Sequence, residues 1–129
     1  MKKTTEKEIQ AVLVLDGPAR YRHFVKTVVA WETAWGLWKD GWVLMANDEG
    51  VPVFPLWPAR EYAELHRTGD WANHEAEEVS LDRLLGELLP MLAARGMLAG
   101  VFPTPAGQGV TLSAEELTDS LRKELMNYE

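Results

Sequence analysis

The sequence predicts an α+β domain: a largely antiparallel sheet of four to six strands with four or five helices packed on it. Three observations lead there. Strand-like segments near the middle of the chain are punctuated by Asp40-Gly41 and by Asn47-Asp48-Glu49-Gly50. Capped segments with helical periodicity lie on both sides of them. The 129 residues fit one compact domain, expected to fray at 1–4 and to bury roughly two-thirds of its unfolded surface.

In chain order, Thr5 with Glu8 makes a capping box for a short first helix through Ile9, Val12 and Leu13. Asp16-Gly17-Pro18 breaks it, and Pro18 suits the first turn of a second helix. Tyr21, Phe24, Val25 and Val28 give that helix one apolar stripe, and Trp31 closes it. Asp40-Gly41 then reads as a two-residue hairpin turn, which pairs Lys39 with Trp42 and Trp38 with Val43. That register places Trp35, Leu37, Trp42 and Leu44 on one face, and Trp38, Val43 and Met45 on the other. Both faces are apolar, so both should be covered. Val51-Pro52-Val53-Phe54-Pro55 follows as a strand that its prolines assign to an edge, or keep short.

Pro58 can open a third helix with Tyr62 and Leu65 inward and Gly69 at its end. Residues 75–79 suit a short strand. Ser80 caps a leucine-striped helix in which Pro90 predicts a kink or an early stop. Met97–Phe102 is a buried strand, Gly107-Gln108-Gly109 a loose turn, and Val110–Leu112 a returning strand. Ser113 and Glu116 form a second capping box, beside a Leu112–Leu117 staple. The last helix turns Leu117, Leu121, Leu125 and Tyr128 inward.

Composition narrows the function classes. The net charge is −7, and residues 51–129 hold thirteen Asp/Glu against six Lys/Arg. Such a field repels nucleic-acid backbones and anionic membrane surfaces, so neither is expected as a partner. The N-terminus lacks the apolar run of a signal peptide, no stretch is long enough to span a bilayer, and there is no cysteine. A cytoplasmic location is expected. His23, His66 and His74 have no ligand spacing, so neither a metal nor another cofactor is expected. Ser80 and Ser113 are occupied as caps, and no catalytic motif is present, which leans away from an enzyme.

The tryptophans carry what remains. Five of six lie between Trp31 and Trp57. Burying one is worth roughly 4–6 kcal/mol, so at least three are expected in the core. The others can form a recognition surface beside the prolines. Val53-Phe54-Pro55 and Val101-Phe102-Pro103 each end an apolar strand, and side by side they would frame a groove. The candidate binding residues are Trp38, Phe54, Trp57 and Phe102, the isolated Trp71, and the basic Arg20 and Arg22 as orienting charges.

Arg20-Tyr21-x-x-Phe24, Trp35-Gly36-Leu37, Gly41-Trp42, Pro55-x-Trp57-Pro58, Tyr62-Ala63 and Val101-Phe102-Pro103-Thr104-Pro105 together resemble a bacterial family known as domain of unknown function family 2750. The resemblance runs from about residue 8 to 125 and implies a small, soluble bacterial protein with no activity, cofactor or catalytic residue to carry over. More loosely, Val-x-Val-Phe-Pro plus a helix is similar to the N-terminal module of enhanced-serine-sensitivity proteins, which implies a binding or regulatory role.

The leading expectation is a non-catalytic protein- or peptide-binding module. One alternative is an enzyme or small-molecule binder assembled from Arg20, Arg22, His23, Asp48 and Thr104; another is a structural homodimer, so that monomer and homodimer both stand.

Overall fold

The capping residues fix where the helices begin in the computed structural model, which describes residues 5–105 and 109–127. Fraying at 1–4, the Gly107-Gln108 part of the turn and Tyr128 lie outside the described residues. Thr5 accepts a hydrogen bond from the Glu8 amide at 3.2 Å, opening α1 (Glu6–Leu13), which buries Ile9 and Val12. Asp16 accepts from the Ala19 amide at 2.8 Å and opens α2 (Gly17–Trp31), with Pro18 in its first turn. Phe24, Val25 and Val28 are buried as the periodicity requires. Glu32 ends the helix at a φ of 57° and turns the chain into β1 (Thr33–Trp38).

β1 is covered on both faces, since Thr33 to Leu37 are all buried. Its hairpin differs from expectation. Trp38, not Lys39, bridges to Trp42, and the Val43 amide donates to the Leu37 carbonyl at 2.9 Å. The loop is therefore Lys39-Asp40-Gly41, with Asp40 taking the positive φ at 57°. A one-residue slip moves every following side chain to the opposite face. Trp38 and Trp42 thus share a face, and Val43 goes to the Leu37 side and is buried.

β1 pairs along its length with β4 (Glu75–Ser80), antiparallel, from Thr33 opposite Ser80 to Trp38 opposite Glu75. A second sheet has the order β2 (Met45–Ala46), β3 (Pro52–Leu56), β5 (Leu98–Val101), β6 (Val110–Ser113). A Trp35–Trp57 bridge joins the two sheets, with hydrogen bonds of 2.8 and 2.9 Å in the two directions. The architecture is α+β, with three antiparallel strand pairs and one parallel pair, β3 with β5.

β3 is therefore internal, not an edge, despite its prolines. The Leu56 carbonyl accepts from Phe102 on the β5 side, whereas Trp57 turns its backbone toward Trp35. Pro55 shares the parity of Trp57. On that side β2 reaches only Val53 and Pro52, and the next contact is Trp57 with Trp35. No neighbour asks Pro55 for the donor it lacks.

α3 (Arg60–Glu64) buries Tyr62. It stops before Leu65, which is exposed, and Gly69 opens a 3-10 turn (Gly69–Trp71) instead of closing the helix. Ser80 accepts from the Arg83 amide at 3.2 Å to start a helical stretch of three parts: α4 (Leu81–Arg83), a π turn (Leu84–Leu88) and α5 (Leu89–Ala94). The Leu89 amide donates to the Leu84 carbonyl, five residues back. The wider spacing loosens the helix around Pro90, which has no amide to donate, and of the kink or early stop expected there the early stop does not occur. α6 (Ala114–Met126) has the complete capping box, Ser113 and Glu116 exchanging bonds of 3.1 Å, and buries Leu117 and Leu121. Among the described residues no helix is long and apolar enough to cross a membrane.

Candidate functional site

The parallel register sets Pro55 opposite Gly100 and Leu56 opposite Val101. The two Phe-Pro corners are consequently staggered: Phe102-Pro103 lies beyond the strand ends, level with Trp57, and not beside Phe54-Pro55. What gathers there is a closed cluster. The Trp57 indole Nε1–H donates to the Pro103 carbonyl at 2.9 Å, and His66 Nε2 lies 2.9 Å from the same oxygen. A carbonyl can only accept, so the His66 proton sits on Nε2 and both lone pairs of Pro103 are used. The Trp57 and His66 rings are 4.9 Å apart, and Tyr62 meets Phe102 edge-on at 4.8 Å.

Phe102 has a φ of 59°, a left-handed conformation rare for a bulky residue and rarer before proline. Its amide, donating to Leu56 at 2.8 Å, and its fully buried ring hold it there. Burial keeps the His66 pKa below the ordinary value, with the Pro103 bond opposing, and does the same to His23, with Glu8 opposing. Tyr62 is pushed up to about 12 by burial and then by Glu8 and Glu61. The Trp57 and His66 donors are both satisfied within the cluster, and Trp57, Tyr62 and Phe102 belong to the core. Phe54, Trp57 and Phe102, expected on a groove, are buried and offer a partner no surface.

The open aromatic site is at the other end of β1. The one-residue hairpin slip puts the Trp42 indole directly over Gly36, where a Cβ would lie 3.0 Å from the ring. Glycine is what lets the indole settle on the strand. Trp38 meets Trp42 edge-to-face with centroids 5.0 Å apart, and Phe54 supports Trp42 from within at 5.6 Å. Trp38 stays 40% exposed and nearby Leu44 46%. Trp42, Val79, Arg83, Glu87, Leu88 and Met91 line a recess of about 260 Å³. The helical wall of that recess spans the π turn, a feature frequent at functional sites. Glu75 and Glu77 lie opposite Trp38 and Gly36 in the ladder and so on the same face. Glu75 is 3.5 Å from Arg67, and Glu87 is 3.8 Å from Arg83.

The other expected residues are dispersed. Trp71 is half-buried, 6.5 Å from His66. Arg20 donates to the Leu15 carbonyl, Arg22 is exposed on α2, Asp48 sits in an exposed turn and Thr104 is buried. Of Arg20, Arg22, His23, Asp48 and Thr104, only Arg22 lines the cleft between α2 and α6, and none lines the Trp42 recess. Among the described residues no three His, Cys, Asp or Glu side chains gather as a metal site. Only Trp35 and Trp57 of the tryptophans are fully buried; Trp31, Trp42 and Trp71 pack half-buried against the core, fewer in the interior than the energy argument required. Sequence reading missed Trp42, Leu88 and Met91 as one site. The available signal was Pro90, which loosens the helix that supplies two of them.

A family model described as protein of unknown function (DUF2750) matches residues 21–121, and the chain belongs to that family. No curated protein matches it.

Proposed function

We propose that the chain is a non-catalytic binding module of the bacterial cytoplasm. In this reading its Trp38–Trp42 face captures a partner's peptide segment that combines an apolar anchor with a basic residue. The observation that carries the reading is an aromatic pair left partly open beside a preformed recess, Trp38 being the one exposed aromatic among the described residues. The anchor would enter between Trp42, Leu88 and Met91. The basic residue is favoured by Glu75 and Glu77 on the same face and by the overall charge of −7. The lack of cysteine suits a reducing compartment.

The test is titration with two blocked dipeptide amides, acetyl-Phe-Lys and acetyl-Phe-Glu, followed through the six tryptophan indole N–H signals by NMR. The Trp38 and Trp42 signals should move with the lysine peptide and much less with the glutamate peptide. Movement of none, or equal response to both, removes the reading. A concentration-dependent dimer in sedimentation that shields Trp38 and Leu44 would replace it with self-association.

A further inference from the structure

A second cleft lies between α2 and α6, and its chemistry is opposite in sign. Arg22 and Lys26 stand four residues apart on α2, so they project from one helix face. Lys123 joins them from α6, and together with Tyr21, Val25 and Ser120 they line a cleft of about 400 Å³. That volume is within the range of small-ligand sites. None of the three cations has an ion pair among the described residues. Glu124 also lines the cleft and Glu116 acts on Tyr21 from α6, so three positive charges less two negative leave the cleft net positive, in a chain whose net charge is −7.

The floor is polar and prepared. The Tyr21 hydroxyl donates to Ser120 Oγ at 2.6 Å, which ties the two helices together. Ser120 accepts that bond, and its own hydrogen has no acceptor among the described residues. A hydroxyl with an unspent donor beside three unpaired cations suits an anion's oxygen atoms. Val25 and the Tyr21 ring add apolar surface on the same wall.

We infer that this cleft binds a small organic phosphate. The dianion would be held by Arg22, Lys26 and Lys123 and hydrogen-bonded by Ser120, with its organic part against Tyr21 and Val25. The site is separate from the Trp38–Trp42 face, so each reading can fail without the other.

The experiment is an NMR titration of the protein with phenyl phosphate, with inorganic phosphate, and with sodium chloride at matched ionic strength. Phenyl phosphate should shift the amide signals around Lys26, Ser120 and Lys123, and bind about ten-fold tighter than inorganic phosphate through partial burial of its ring. The charge-reversed pair Lys26→Glu with Lys123→Glu, at exposed positions, should fold normally and lose the response. Ser120→Ala should weaken it while leaving the cations in place. Equal affinity for the two phosphates would overturn the organic-phosphate assignment. An equal response to chloride, or an undiminished response in the charge-reversed protein, would overturn the site.

Discussion

Trp57 and Trp42 both follow short strands of the same aromatic segment, yet one is sealed and the other walls an open recess. The difference lies in what each backbone is given to pair with. Trp57 continues β3 to a mutual pair of hydrogen bonds with Trp35, and its indole finds the Pro103 carbonyl. Its ring enters the interior with every polar group satisfied, and burial is favourable without offset. Trp42 follows a three-residue loop and has only the bridge to Trp38. Its ring lies on a glycine, with another tryptophan at its edge and a helix some distance across.

Substitutions should separate the two ends clearly. Phe102→Ala removes a fully buried ring from the sealed cluster and should destabilise by about 3–5 kcal/mol in urea unfolding. Trp38→Ala, at the open end, should change stability by less than about 1 kcal/mol. Comparable losses at both positions would erase the distinction. A smaller effect should follow from Gly36→Val, which places methyl groups where the Trp42 indole rests. We expect a loss of about 1–3 kcal/mol from overpacking and a red shift of tryptophan emission as Trp42 is lifted into water. An unchanged spectrum would mean that the recess is not built on the glycine.

The smallest expected effect concerns protons. Burial holds the folded-state pKa of His66 below its ordinary 6.5, so on acidification the unfolded chain takes up a proton first. This contribution to stability is intact above about pH 6.5 and is lost as the pH falls toward the depressed folded value. His23 adds in the same direction. Tm should fall between pH 7 and pH 5, and less so in His66→Gln, whose amide can still donate to Pro103. An identical pH profile in that variant would exclude His66 as a contributor.

Helix starts were legible in the sequence because they are local. Thr5, Ser80 and Ser113 each act through an amide three residues away and cap as expected, and Asp16, read only as part of a chain break, caps in the same way. The short strand over 75–79 was likewise legible as a segment. Its partner was not, because pairing with β1 is decided by chain some forty residues distant. The Asp40-Gly41 turn was recognisable, but loop length was not, and the single extra residue brought Trp42 onto the face of Trp38. The prolines of β3 misled for a related reason. A missing donor excludes a strand from the interior only if a neighbour needs it, and that depends on how far β2 extends. The candidate site suffered most, since it is assembled from a hairpin register and a loosened helix turn, both set by tertiary packing.

The nesting of the strand pairs has a further consequence. β4 belongs to the first sheet but lies within the stretch of chain that carries β3 across to β5 in the second. Any break between Trp38 and Val110 therefore divides at least one sheet, and a break between Leu56 and Glu75 divides both. The two sheets are interleaved like links and cannot be expressed as two self-sufficient halves. Fragments cut in that central stretch can recover the fold only by meeting again, which makes split-chain complementation a direct readout of whether both sheets have assembled.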